Sequence, residues 1–164
     1  MEALKSQTEY PKPTEVEKEI SKEQIERLPN YQEPPCFYRG LSAKDAFKSL
    51  FGYLELCSKP EHDPIGERDN ATLYDRDAIA FAPTSIDKKG KQFLCAIGFD
   101  PVDKIETLPS RLGRTNQLRI NGKIRATEVI IRPAGKKQGK PGRTKFLSPK
   151  EFYNWYIENI DLGV

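Results

Sequence analysis

Apolar residues recur at helical spacing in two stretches of this chain and in short strand-like runs in several others. Behind Ser42, a natural N-cap, Ala46, Phe47, Leu50, Phe51, Leu54 and Cys57 fall on one helical face, and this spacing predicts a core helix through residues 43–57. Ser148-Pro149-Lys150-Glu151 opens a second helix with a capping hydroxyl and a proline at its first position. Phe152, Trp155, Tyr156 and Ile160 form its apolar face. Runs at residues 36–41, 72–74, 78–82 and 92–99 predict strands, the last a central one with small residues where another element can approach. Asp87-Lys88-Lys89-Gly90 is turn chemistry before it, and Asp100-Pro101 stops it.

The clearest short-range signal is Asn121-Gly122, since both central residues of a type I′ turn need positive φ. It predicts an antiparallel hairpin in which Ile120 pairs with Lys123 and Glu128 lies opposite Thr115. Alternation then puts Ile124, Ala126, Glu128 and Ile130 on one face, with Lys123, Arg125, Thr127 and Val129 on the other. Arg132-Pro133 ends the hairpin, and the glycines, proline and lysines of residues 134–143 predict a mobile basic loop.

Residues 1–33 are rich in Glu, Lys, Gln and Pro and too poor in aromatics to fold alone, which predicts an acidic, mobile arm. Thr14-Glu15-Val16-Glu17 reads as a capping box, and Val16, Ile20, Ile25 and Leu28 suit a short docking helix. Residues 34–164 then form a single α+β domain, for which 37% apolar content supplies a modest core. The apolar runs are too short to cross a membrane and the N-terminus lacks the apolar stretch of a signal peptide, so a cytoplasmic protein is expected.

Three widely spaced cysteines, Cys36, Cys57 and Cys95, read as buried thiols of a reducing compartment. His62 is the single histidine, which argues against a Cys/His metal cluster and against a Ser-His-Asp or Cys-His pair. No metal is expected, and carboxylates remain as the candidates for chemistry.

Charge is segregated along the chain. Residues 111–145 hold eleven of the 27 Lys and Arg residues and one of the 24 Asp and Glu residues, in a chain whose net charge is +3. Such a segment suits an anionic macromolecule, nucleic acid or an acidic protein, with Arg114, Arg119, Arg125, Lys136 and Lys137 as contacts. A non-enzymatic binding module built on this segment is therefore one functional expectation.

The lone acid of that segment, Glu128, carries the other. On an apolar face it needs a cation, a donor or a wet cleft, and a carboxylate so placed can stabilise positive charge at an anomeric carbon. Arg39 lies in a strand-like aromatic segment, where a bidentate cation suits phosphate or carboxylate, and Gly40 beside it permits close backbone approach. Pro83-Thr84-Ser85 places hydroxyls after the run at 78–82.

In their order along the chain, Phe37-Tyr38-Arg39-Gly40-Leu41-Ser42, Phe81-Ala82-Pro83-Thr84-Ser85 and Thr127-Glu128-Val129 resemble the Arg, Ser-Thr-Ser, Glu pattern of the mono-ADP-ribosyltransferase superfamily. The resemblance spans roughly residues 36–131 and implies a small split antiparallel β-sandwich that grips NAD as a substrate between two sheets. It implies that Arg39 contacts the phosphate or ribose side of NAD, that Ser85 with Thr84 braces the site, and that Glu128 binds the nicotinamide ribose and stabilises an oxocarbenium-like transition state. Tyr38, Tyr74 and Phe81 are three alternatives for stacking on nicotinamide. Ala126 stands where arginine-modifying members carry a Glu or Gln, so the resemblance does not extend to arginine as the acceptor.

Overall fold

The computed structural model describes residues 20–31, 35, 37–57, 69–100, 106–110, 113–134, 136–137, 140–141 and 143–160. Within them the chain is α+β. In order the elements are α1 (Lys22–Glu26), β1 (Phe37–Leu41), α2 (Ala43–Leu50), β2 (Leu54–Leu56), β3 (Ala71–Thr72), α3 (Asp75–Ala80), β4 (Thr84–Ile86), β5 (Gln92–Asp100) and β6 (Glu106–Pro109). They continue with β7 (Gln117–Pro133), β8 (Lys136–Lys137), β9 (Lys140–Pro141), β10 (Lys145–Leu147) and α4 (Pro149–Asn159).

The 17-residue β7 is the spine of the sheet. Its first half pairs antiparallel with β3 and β6, and from Gly122 to Ile124 it pairs with β2. Its second half runs between β5 and β10. Because β1 pairs with both β3 and β5, the strands β7, β3, β1 and β5 close a circuit of hydrogen-bonded neighbours.

The hairpin expected at Asn121-Gly122 does not form, since β7 continues straight through the dipeptide. Gly122 has φ 142°, and this freedom is used to turn the strand where its neighbour changes from β6 to β2. Glu128 consequently lies opposite Gly98 rather than Thr115. The expected alternation also breaks. Gly98 pairs with Glu128 but Phe99 pairs with Ala126, so Thr127 is an extra residue, a β-bulge whose hydroxyl donates to the Gly98 carbonyl at 3.3 Å. Ile120, Ile124 and Ala126 face the main core before the bulge, and Val129 and Ile131 face it after the bulge. Glu128 and Ile130 are thereby set on the opposite, outer face, which separates Glu128 from Ile124 and Ala126.

The main core lies between the inner face of the sheet and helices α2 and α4. Ser42 and Ser148 cap these helices, the latter in a capping box with Glu151. Phe47 stacks on Tyr156 with ring centroids 4.3 Å apart, and Phe93 meets Trp155 edge-on at 5.2 Å. The helix α2 ends earlier than its apolar spacing predicts. Gly52, at φ 78°, turns the chain out of the helix, and Leu54 and Leu56 belong to β2 instead.

The run at 78–82 is also not a strand. Asp75 to Ala80 form α3, with Asp75 and Asp77 at its favourable N-terminal end, and its buried Ala78 and Ile79 pack on Ala96 and Ile130 of the outer face. A short apolar run is compatible with either element, and here the sheet face left open by small residues accepts a helix. The turn at Asp87 forms as expected: its Oδ1 accepts from the Lys89 and Lys91 amides, and Gly90 has φ 82°.

Part of the expected arm belongs to the core. Ile20 and Leu28 are buried against it, α1 is capped by Ser21 with Gln24, and the Lys150 amide and ammonium bind the carbonyls of Pro29 and Ile25. The capping box at Thr14, Cys36 and His62 lie outside the described residues. In the expected basic loop, β8 and β9 pair as a two-stranded ribbon.

Replacing Gly122 with Ala is expected to lower stability by about 1 kcal/mol or more, because an L side chain is strained at that φ. A urea titration checks it, as a lower midpoint at unchanged slope.

Candidate active site

The circuit of strands is narrowest between β1 and β3, which among the described residues pair at Tyr38 and Thr72 alone. A cavity of about 460 Å³ opens there. Arg39 and Gly40 of β1 and Ser42 and Asp45 at the start of α2 form one wall. Asp69, Asn70 and Thr72 form another, and Asp77, Phe81 and Pro83 with Arg114 and Gln117 complete the lining.

Several of these side chains are held by short-range chemistry. The Asn70 side chain donates to the Ile120 carbonyl at 2.8 Å and accepts from the Ile120 amide at 2.7 Å, mimicking one strand pairing. The Asn70 carbonyl accepts from Arg39 Nη1 at 2.7 Å. Asp77 accepts from Asn116 Nδ2 at 2.7 Å, while the Thr72 hydroxyl binds the Asn116 carbonyl at 2.9 Å. Asp69 accepts from the Ser110 hydroxyl at 2.6 Å.

Arg39 enters this cavity from the inner face of β1, in register with Ile97 and Val129. Its Nε is buried and has no hydrogen-bond partner among the described residues. Burial lowers the pKa of the guanidinium, and the nearby Asp45 carboxylate opposes that shift. A single guanidinium bond leaves capacity for an anionic or carbonyl-bearing ligand.

Gly40 serves packing. A Cβ there would stand 2.3 Å from the Ala78 carbonyl oxygen and 2.8 Å from Ala82 Cα, so its absence seats the end of α3 against β1. Ser85 also acts at a distance from the cavity. Its hydroxyl accepts from the Ala43 amide at 3.0 Å and fixes the N-terminal end of α2, the helix that follows β1 directly. Thr84 is exposed on the same strand.

On the outer face, Tyr38, Gly98 and Glu128 stand in one row across β1, β5 and β7. Arg39 and Glu128 therefore occupy opposite faces of the sheet, and Glu128 is not among the residues that line the cavity. Tyr38 belongs to both places, lining the cavity while sharing the row of Glu128. With neighbouring strands about 4.8 Å apart, Tyr38 and Glu128 are separated by roughly 10 Å along the row. Partial burial raises the pKa of the Glu128 carboxyl, and the Asp75 carboxylate raises it further. Burial raises that of the Tyr38 phenol, with Glu128 and Asp75 adding to the effect. Asp75 is the residue that sequence reasoning missed, because the segment around it read as a loop between strands. Its place in a helical first turn, three and four residues ahead of the apolar pair Ala78 and Ile79, is the signal that finds it.

Tyr74 and Phe81 flank α3 at its two ends and are 54% and 76% exposed; only Phe81 reaches the cavity. Cys95 is buried and its thiol is pushed strongly upward by desolvation, which keeps it protonated and unreactive.

Four described basic residues of the stretch lie in different surroundings. Arg114 lines the cavity and Arg119 donates to the Pro109 carbonyl at 2.9 Å. Lys123 stands opposite Glu55, and Arg125 opposite Asp100. Acids from remote segments thus interleave with the basic residues of β7. Lys136 and Lys137 form β8.

Two outcomes follow for this region. Asn70→Ala removes both Ile120 bonds and should cost about 1–3 kcal/mol, read from urea unfolding. Glu128→Gln should raise the thermal midpoint at pH 7. A carboxyl whose folded pKa lies above its unfolded value opposes folding once the unfolded chain ionises, so the gain of the variant should shrink as pH falls below the ordinary carboxylate range. Thermal melts of wild type and variant at both pH values measure the difference.

Comparison of the chain with protein-family models, with characterised proteins and with solved structures finds no match to any of the three.

Proposed function

We propose that this chain is an ADP-ribosyltransferase-like enzyme that takes NAD as its substrate and transfers ADP-ribose to a macromolecule. One observation supports the reading: Tyr38 lines the Arg39 cavity and also shares the outer-face row of Glu128, with Gly98 between them and Pro35 packed on that glycine. The side chain of Glu128 has no hydrogen-bond or ion-pair partner among the described residues, and it is half-buried.

In this reading Arg39 and Arg114 hold the anionic part of NAD, and Asp69 and Asp77 accept from hydroxyl groups of its sugars. Phe81 offers an exposed ring to a base at the cavity wall. Glu128 accepts a hydrogen bond from the nicotinamide ribose and faces the positive charge that develops at its anomeric carbon as nicotinamide leaves. Ser85 braces α2 behind Arg39. The strands belong to one eight-stranded sheet, and in this reading the two halves of β7, with their different partners, are the counterparts of the two sheets of a split sandwich.

Incubation with NAD labelled in the nicotinamide ring tests the proposal. Wild type should release nicotinamide, and Glu128→Gln should slow release roughly a hundredfold or more at undiminished stability. Equal rates in the two proteins would remove Glu128 from the chemistry, and no release from wild type would overturn the function.

A further inference from the structure

We infer that the end of the sheet where the turn at residues 87–91 meets the last residues of β7 is a binding face for single-stranded nucleic acid. The inference goes beyond the proposed function and does not depend on it, since none of the residues of this face lines the Arg39 cavity.

Strand register gathers here cations that the sequence keeps apart. Ile86 of β4 pairs with Gln92 of β5, Phe93 of β5 with Pro133 of β7, and Ile131 of β7 with Lys145 of β10. The turn that carries Lys88, Lys89 and Lys91 therefore lies beside the end of β7 that carries Arg132. On the other side of β7, β10 brings in Lys145, with Arg143 two residues before it. Four adjacent strands make three spacings, a rim about 14 Å wide. The β8–β9 ribbon, which joins β7 to β10, adds Lys136, Lys137 and Lys140 to the same region of the chain.

These charges are not compensated within the fold. Lys88, Lys89, Lys91, Arg143 and Lys145 are exposed and Arg132 is partly buried. The side chains of these six make no hydrogen bond or ion pair among the described residues. Two acids stand near them. Asp87 Oδ1 accepts from the amides of Lys89 and Lys91, and Glu158 precedes Asn159, whose carbonyl accepts from the Lys88 amide at 2.8 Å. Further back along β7 the situation is different, because Lys123 and Arg125 stand opposite Glu55 and Asp100.

Charge alone suits any polyanion, and Phe146 narrows the class. It pairs with Ile130 on the outer face of the sheet and is 47% exposed. Arg132 is two residues along β7 from Ile130, which makes it the diagonal neighbour of Phe146, about 7–8 Å away and within reach of a long side chain. A flat, exposed ring beside a guanidinium offers an unpaired base a surface to stack on while the surrounding cations hold its phosphates. Paired bases in a duplex have no free face for that ring. A lipid surface would call for a larger apolar area than Phe146 and Ile86 present.

Fluorescence anisotropy of the full chain with a labelled oligothymidine of about 12 nucleotides tests the inference. Wild type should bind, and neutralisation of about four phosphates should make its affinity fall roughly fiftyfold between about 50 and 200 mM salt. Lys88→Gln, Lys89→Gln and Lys91→Gln together should weaken binding and make the salt dependence shallower, whereas Lys123→Gln should leave both unchanged. Phe146→Leu should weaken binding about tenfold at every salt concentration, and Phe146→Tyr, which keeps the flat ring, should retain it. Oligothymidine and oligouridine arms separate DNA from RNA, and binding of either supports the face. Absence of binding, or binding that the three lysine replacements leave intact, overturns it. A duplex held as tightly as the single strand, with Phe146→Leu without effect, overturns the preference for single strands. Binding to phosphatidylserine vesicles without binding to either oligonucleotide assigns the face to lipid and overturns the inference. Nicotinamide release is a separate measurement that none of these outcomes decides.

Discussion

A single extra residue in one strand, Thr127 of β7, decides which side of the sheet every later side chain of that strand occupies. Without the bulge, Glu128 would share a face with Ile124 and Ala126 and enter the main core, where an unpaired carboxylate is costly. With it, Val129 and Ile131 continue the core, and Glu128 emerges on the outer face beside Tyr38. The bulge therefore satisfies two demands at once: an unbroken apolar inner face along 17 residues, and one carboxylate kept in contact with solvent.

The same strand shows what was legible beforehand and what was not. Helices α2 and α4 were readable because capping hydroxyls and one-sided apolar spacing are local signals, and β5 because an apolar run between turn residues is one too. Asn121-Gly122 was misread for a physical reason. The dipeptide reports only that the backbone can leave the usual φ region, and a strand can use that freedom to turn between neighbours as readily as a hairpin can use it to reverse. A bulge has still less local signature, since it arises from matching β7 to β5 and not from Thr127 itself. The strand expected at residues 78–82 failed because nothing near it in sequence reveals that Gly40 and Ala96 leave a sheet face shallow enough for a helix.

Charge gives a parallel case. The eleven basic residues of 111–145 are gathered along the chain. Folding opposes Lys123 with Glu55 and Arg125 with Asp100, partners tens of residues away in sequence. Facing opposite charges on neighbouring strands contribute about 0.2–1 kcal/mol each, and they also lower the positive field along β7. Asp75 is one of many acids in the sequence, and in the fold its carboxylate raises the pKa of the Glu128 carboxyl.

Alternation along β1 then keeps Arg39 and Glu128 from neutralising each other, as the proposed reaction requires. Arg39 and Tyr38 are adjacent residues, and adjacency on a strand sends their side chains to opposite faces. At close range Arg39 and Glu128 would pair, each satisfying the other and leaving neither for a substrate. Separated by the thickness of the sheet, the guanidinium stays in a cavity that Asp45, Asp69 and Asp77 also line, and Glu128 stays on the outer face. NAD in the proposed reaction has the same polarity, a diphosphate that is anionic throughout and a sugar carbon that becomes cationic only in the transition state. A protein that offers its cation to the first and withholds it from the second lowers the barrier without weakening its grip on the ground state. Tyr38, whose phenol is kept neutral by burial and by the two carboxylates, is the uncharged residue at the boundary between the two fields.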